Sequence, residues 1–473
     1  MITAETIGNL IARGIQPPIF LSANIPGGIE QGQQLRALHR AHLALRCLES
    51  LTRKQKRKTI MSKKRQNDTT QPLHVLVAKT LYAPEEIAGP VAVVIDGASI
   101  RALWRARDVN QARQLCAERL PGELVEVSDL GDSRIAPGYI DIHTHGFHGH
   151  DITSGTQHDI AAMAQELPRI GVTSFFPTIA STGKTETVAQ IERIVAAARR
   201  QSDEQGTEIA GIRLEGPFIS RMKKGAQYEP AIRRPDPLEM RELAYMGRGL
   251  VRMVDYAPEE DADDSFLTTL VQLDILPCIG HTAATYDQAL HAIDGGARHS
   301  THLFNGMSRL DHRQPGTAGL LLTDPRVTIE IIADGIHLHP AVLKLAVTAR
   351  GPRDVALITD AVAAAGLPDG EYEFVNRSVH VIGGCVRLAD GTLAGSVLTL
   401  DRAVRNMVAL AGVSWSDAIR MATLTPATIA GISNRKGRVA PGMHADLVVL
   451  DELGNVRQTW VRGQLAYQSD AHA

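Results

Sequence analysis

The chain has 473 residues, 44% of them hydrophobic and 22% charged, with a formal net charge of −2. That length exceeds what one core usually supports, so a large domain plus a smaller one is expected. The near-neutral balance counts against a broad nucleic-acid surface, no apolar run is long enough to span a bilayer, and the N-terminus lacks the charged-then-apolar order of a signal peptide.

Residues 1–72 read as an N-terminal extension unlike the rest. Residues 53–66 (R-K-Q-K-R-K-T-I-M-S-K-K-R-Q) form a basic run followed by the polar stretch Asn67 to Gln71. No aromatic residues interleave with these charges, so a solvated linker is the better reading than a nucleic-acid patch. Met61 is an alternative start, and residues 1–60 are expected to be dispensable. The four cysteines (Cys47, Cys116, Cys278, Cys385) are scattered without a C-x-x-C pair. That pattern suits a reducing, cytoplasmic setting and counts against thiolate-bound zinc.

From residue 73 short β-branched runs alternate with D-G and G-D turns: H-V-L-V-A-K-T-L-Y, V-A-V-V-I-D-G, L-V-E-V-S-D-L-G-D. The same texture returns in V-H-V-I-G-G, A-D-L-V-V-L-D and V-R-Q-T-W-V-R-G near the C-terminus. Two β-rich ends around a different middle predict one small composite β-sandwich domain, covering 73–136 with about 372–392 and 435–468.

The middle, 137–371 with 393–434, alternates strand and helix patterns. Apolar runs fall at Tyr139–Ile142, Val172–Phe176, Ile209–Leu214, Leu250–Val254, Leu276–Ile279, His299–Leu303, Val327–Ile332 and Val355–Ile358. Helical-period stretches such as V-A-Q-I-E-R-I-V-A-A-A-R-R lie between most of them. Eight such units predict an α/β fold, a closed (β/α)8 TIM-like barrel. A doubly wound sheet would show a glycine-rich phosphate turn after its first strand. This first strand ends in histidines instead.

Reactive groups in such a barrel sit at the C-terminal strand ends. The first ends in D-I-H-T-H, so period-2 alternation points His143 and His145 to one face. Glu215 closes the third run, His281 the fifth, His302 the sixth and Asp360 the eighth. A lone histidine is most often a hydrogen-bonded core residue, and H-x-H alone is weak. Their joint placement at strand ends points to a metal site. Imidazole and carboxylate ligands suit a divalent ion, zinc first, with iron or manganese as alternatives.

These residues sit within P-G-Y-I-D-I-H-T-H-G, L-E-G-P-F, K-K-G-A, G-H-T-A-A-T-Y, T-H-L-F-N-G-M, A-D-G-I-H, I-T-D-A-V-A-A-A-G and G-T-L-A-G-S, in that order. The series resembles the amidohydrolase superfamily and, within it, the N-acetylglucosamine-6-phosphate deacetylases, over residues 73–468. The resemblance implies hydrolysis of the acetamide of N-acetyl-D-glucosamine 6-phosphate in amino-sugar catabolism, with another N-acetyl sugar phosphate such as the galactosamine isomer as alternative. It implies Glu215, His281 and His302 as ligands of one ion, and His143 and His145 as ligands of a second in members that hold two. Glu215 would bridge the ions, with Asp360 as general base beside the first. Met253, Val254 and Asp255 leave no lysine at the fourth strand end, so a carbamylated-lysine bridge is not expected. Asn305, Gly306, Arg313 and His337 match substrate-phosphate and sugar contacts; Arg313 and His337 are offered across a subunit interface in the family, which implies a homodimer. Many members read K-G-A-H where this chain reads K-G-A-Q. Gln227 thus stands where a histidine helps polarise the acetyl carbonyl, and its amide is a neutral donor.

Overall fold

The computed structural model describes residues 72–83, 85–201 and 206–470. The basic run, the alternative start and Cys47 lie outside the described residues. Pro72 onward forms one compact unit.

Eight parallel strands make the barrel: β1 (Tyr139–Thr144), β2 (Val172–Ala180), β3 (Ile212–Glu215), β4 (Val251–Tyr256), β5 (Leu276–Ile279), β6 (His299–Ser300), β7 (Thr328–Ile332) and β8 (Val355–Ile358). Strands buried on both faces need largely apolar runs, as in V-A-L-I; in V-T-S-F-F-P-T-I-A the buried polar residues Thr173, Ser174 and Thr178 interrupt the run. The circle closes between β1 and the end of β8. There Asp360 N–H donates to His143 O at 2.9 Å, His145 N–H donates to Ala361 O at 2.8 Å, and Thr144 bridges Ala361 in parallel. Closure therefore runs through the backbone of the residues singled out as functional.

Lys184–Arg200 buries Ile191, Ile194, Val195 and Ala197 at helical spacing. Thr156 with Asp159 and Thr285 with Gln288 form capping boxes that satisfy helix-start amides.

Two expected strands differ in extent. The run expected over Ile209–Leu214 splits, Glu208–Ile209 pairing with β2 before β3 begins. At the intervening Gly211 a Cβ would stand 2.4 Å from the Phe176 ring, so the chain passes where only glycine fits. The run expected over His299–Leu303 is extended only at His299–Ser300, because the backbone turns left-handed at His302 (φ 23°) and Phe304 (φ 74°).

The chain ends meet in one eight-stranded sheet. Its path runs Gln464–Gln468, Val456–Val461, Leu447–Leu450, Arg134–Pro137, Leu73–Tyr82, Glu86–Asp96, Ser99–Arg105, and Val125–Asp129 also pairs with Leu73–Tyr82. Leu447–Leu450 runs antiparallel to Arg134–Pro137, the seam between the two ends. One face packs Leu76, Val93, Ile135, Leu447, Val449 and Trp460 into a single apolar cluster. The other is covered by the helix Val109–Arg119 through Ala112 and Cys116.

The segment 372–392, expected within this domain, belongs elsewhere. Gly370–Phe374, Arg377–Ile382 and Cys385–Leu388 form a separate three-stranded sheet. Its apolar face (Phe374, Val379, Val381, Val386, Leu388) packs on Ala180, Ala226 and Val362 beside the C-terminal strand ends. Burial of that face against the barrel mouth, rather than in the composite sheet, decides its place. No described helix is long and apolar enough to cross a membrane.

Lys436, 2% exposed, bridges Asp446, next to the seam strand, and Glu208, next to β2, at 3.0 Å from the latter. Removing one partner of a buried pair strands the other charges, so Lys436→Ala is expected to destabilise the protein by about 3–5 kcal/mol. Urea unfolding would register this; a loss below about 1 kcal/mol, the level of an exposed pair, would mean that the ammonium does not hold the two parts together.

Candidate metal centre

At the mouth of the barrel the strand ends deliver their polar side chains to one point. Glu215 ends β3, and its Oε1 lies 3.1 Å from His281 Nε2, 2.9 Å from His302 Nε2 and 3.4 Å from His143 Nε2. Its Oε2 lies 2.9 Å from His145 Nε2. Asp360 Oδ1 completes the group at 3.5 Å from His143 Nε2 and 3.3 Å from His145 Nε2. Two ligand sets share Glu215: His143, His145, Glu215 and Asp360, and Glu215, His281 and His302, so Asp360 stands with the H-x-H pair and not, as expected, beside the ion of His281 and His302. All six residues are buried.

Local backbone geometry aims these side chains. His281 (φ 45°), His302 (φ 23°) and Asp360 (φ 48°) adopt left-handed conformations as their strands break off, which swings each side chain over the barrel axis. Such residues cost of order 1–3 kcal/mol each and persist only where surrounding contacts fix them. Gly306, itself at φ 56°, leaves room for His281: a Cβ there would lie 3.0 Å from its Nδ1.

The donor set fits a cation. His281 Nδ1 faces Lys223 O at 2.8 Å and His145 Nδ1 faces Thr178 O at 3.1 Å. A carbonyl only accepts, so each Nδ1 carries the proton and each Nε2 presents a lone pair. A lone pair 3.1 Å from a carboxylate oxygen, as between His281 and Glu215, requires a proton or a cation between them. His143 Nε2 and His145 Nε2 are moreover buried without a hydrogen-bond partner, although carboxylate oxygens lie 2.9–3.5 Å away. All these ligand atoms lie within 4.8 Å of one another, close enough to share one cation.

Electrostatics agree. Burial alone would lower the His145 pKa, but Asp360 and Glu215 hold it up to about 9. Burial would likewise lower His281, and Glu215 raises it. Burial would raise Glu215, yet the imidazoles around it keep it well below the usual carboxylate range; Asp360, pulled up by burial, is kept low by His143 and His145. The cluster thus concentrates negative charge around imidazoles that must give up their protons before a metal ion can bind.

The other expected residues scatter more. Gln227 is buried in the cluster: Ser181 N–H donates to its Oε1 at 2.7 Å, which fixes the amide so that Nε2 donates to Glu215 Oε2 at 2.5 Å. Asn305 and Gly306 form the turn after β6, with Asn305 Nδ2 donating to His302 O and Leu303 O. His337 follows β7, its Nδ1 2.7 Å from Asp334 Oδ2; burial would lower the ring's pKa, but Asp334 raises it. Arg313 is exposed, and among the described residues no hydrogen bond or ion pair joins its guanidinium to the cluster. The end of β4 carries Asp255, which pairs with Arg213, and no lysine.

Sequence reasoning missed the layer beneath. Glu330 in mid-β7 is fully buried and accepts from His143 Nδ1 at 2.8 Å, and Arg213 on β3 is fully buried between Glu330 and Asp255. The available signal was a charged residue at the centre of V-T-I-E-I-I, where both faces of the strand are covered.

Residues 134–466 match the amidohydrolase family. The chain is 39% identical to the N-acetylgalactosamine-6-phosphate deacetylase of Escherichia coli O157:H7, over 72% of this chain and 90% of that one. It is 38% identical to the N-acetylglucosamine-6-phosphate deacetylase of Bacillus subtilis, over 73% and 87%. Among solved structures it is similar to the N-acetyl-D-glucosamine-6-phosphate deacetylase of Mycobacterium smegmatis, a variant in complex with N-acetyl-D-glucosamine-6-phosphate, at a TM-score of 0.76 and 32% identity, covering 84% of this chain and all of that one. With its strand-end histidines and carboxylates, the chain belongs to the amidohydrolase family and, within it, to the N-acetylglucosamine-6-phosphate deacetylases.

Proposed function

We propose that this chain hydrolyses the acetamide of N-acetyl-D-glucosamine 6-phosphate, giving D-glucosamine 6-phosphate and acetate. The observation that carries the reading is the pair of ligand sets sharing Glu215 at the barrel mouth, with the Asp360 carboxylate beside them. His143, His145, Glu215 and Asp360 would hold one divalent ion and Glu215, His281 and His302 another; zinc suits the donors best, and iron or manganese would also fit. A bound ion of this kind polarises a carbonyl and lowers the pKa of water to about 7.

The chain's own groups supply the rest. Asp360, held ionised, takes the proton of the attacking water at its carboxylate and passes it to the sugar nitrogen as the carbon–nitrogen bond breaks. Gln227 offers Nε2 as a neutral hydrogen-bond donor to the acetyl oxygen. Asn305 and Gly306 line the turn where the sugar phosphate would lie, with Arg313 and His337 as its cationic and hydrogen-bonding contacts. The exposed position of Arg313 fits a homodimer in which it reaches the neighbouring subunit's site. Unpaired Cys116, Cys278 and Cys385 fit a cytoplasmic setting.

The galactosamine isomer is a second reading, favoured by the 39% identity to a relative of that name. Acetate release from N-acetylglucosamine and N-acetylgalactosamine, each with and without 6-phosphate, separates the two. The glucosamine phosphate is expected to react fastest, and exhaustive chelation to abolish turnover. Activity that survives metal removal verified by elemental analysis would rule out the metal-dependent route.

Asp360→Asn is expected to lower kcat by about two to four powers of ten while the variant stays folded and keeps the ion of Glu215, His281 and His302, since one group serves as base and then acid. Near-normal turnover would remove Asp360 from the proton path.

Charge-assisted contacts to phosphate contribute about 1.5–3 kcal/mol each, so Arg313→Ala is expected to lower kcat/KM for the phosphorylated sugar by about 10- to 150-fold. The unphosphorylated sugar should be little affected, so the preference between the two collapses. Equal losses on both would assign Arg313 to subunit assembly or structure instead.

A further inference from the structure

Barrel interiors are normally filled by layers of branched apolar side chains. This one holds a guanidinium and two carboxylates under the metal centre. Arg213 Nη1 donates to Glu330 Oε2 at 2.7 Å, and Nη2 donates to Asp255 Oδ1 at 2.9 Å; all three residues are fully buried. Apolar side chains of similar volume would stabilise such a core as well or better, so stability alone gives no reason for the charges.

The geometry of Glu330 supplies one. Its Oε1 lies 2.8 Å from His143 Nδ1 and accepts from the His302 backbone N–H at 3.1 Å. One oxygen thus touches a residue from each of the two ligand sets. Its hold on them differs: it meets His143 at the ring and His302 only at the backbone. An acceptor fixed against Nδ1 places the ring proton there and leaves Nε2 as a lone pair pointing up into the cluster, where it has no hydrogen-bond partner. His145 and His281 are anchored by backbone carbonyls instead, so His143 alone among these three depends on a side chain that can be replaced.

We propose that Glu330, braced by Arg213, is a positioning residue that sets the tautomer and direction of His143 and so controls the affinity of the ion held by His143, His145, Glu215 and Asp360. The inference rests on the reading of the cluster as a metal centre. It assigns Glu330 no contact with substrate.

The test is zinc titration of the metal-stripped full chain by calorimetry, with metal per chain counted after dialysis. His143→Ala marks which binding step belongs to that set. Glu330→Gln removes the charge; Glu330→Asp keeps a charge opposite Arg213 but withdraws it by one methylene, which guards against a simple folding failure. Both are expected to weaken the step marked by His143→Ala by about 10- to 100-fold, while the other step stays within about threefold. Melting curves of the stripped proteins check that Glu330→Asp remains folded. Unchanged titrations, or equal weakening of both steps, would overturn the inference, as would failure of both variants to fold, which would make Glu330 scaffold. If the unaltered chain takes up no divalent ion, the metal reading itself fails; if it takes up zinc and the variants match it, only the role of Glu330 does.

Discussion

Four imidazoles and a second carboxylate crowd around the buried Glu215 carboxylate. The Nε2 of each imidazole faces Glu215, and those of His143 and His145 also face Asp360. That arrangement holds together only if something positive sits among the donors, a set of protons or a metal ion. The raised His145 and His281 and the depressed Glu215 and Asp360 are the protonated version of the balance. The Nδ1 anchors are its geometric counterpart, since they leave Nε2 free for the ion.

The fold carries costs so that this convergence is possible. Strand ends do not naturally direct side chains to one point, so His281, His302 and Asp360 leave the β region where their strands stop. Backbone bonds hold each in place: Asp360 N–H to His143 O and Ser396 N–H to Asp360 O at the closure, Asn305 N–H to His302 O in the turn after β6, and Ser220 N–H to His281 O. For His143, His145 and Asp360 the closure of the circle and the ligand geometry are thus one structure. A change that loosened the seam between β1 and β8 would blur the site before it unfolded the barrel.

Much of this was legible in the sequence because it depends on local pattern. H-x-H on a strand gives one face by period alone, and single ligands at the ends of apolar runs follow from the barrel rule. What was not legible depends on partners far along the chain. Glu330 looks like the polar member of a half-exposed strand until Arg213, 117 residues earlier, is seen to meet it. The sheet from Gly370 to Leu388 has the same alternating texture as the terminal strands, and nothing in that texture says against which surface its apolar face is buried. The early end of β6 was hidden too, because left-handed φ at a histidine and a phenylalanine is imposed by tertiary contacts rather than by residue preference.

The buried arginine also bears on how the chain comes together. Arg213 sits on β3 but bonds to Ile142 O on β1, Asp255 on β4, Thr301 just past β6 and Glu330 on β7. A half-barrel of β1 to β4 would leave the arginine without Glu330, and the complementary half would bury Glu330 with no guanidinium. Each half would keep only part of the network, Arg213 with Asp255 in one and Glu330 with His299 in the other, and the Arg213–Glu330 bond forms only when the two meet. Cohesion arrives late, when strands more than a hundred residues apart meet, which favours all-or-none assembly over stepwise growth from either end. A chain cut between β4 and β5 would divide that network, and rejoining the two pieces would restore the Arg213–Glu330 bond.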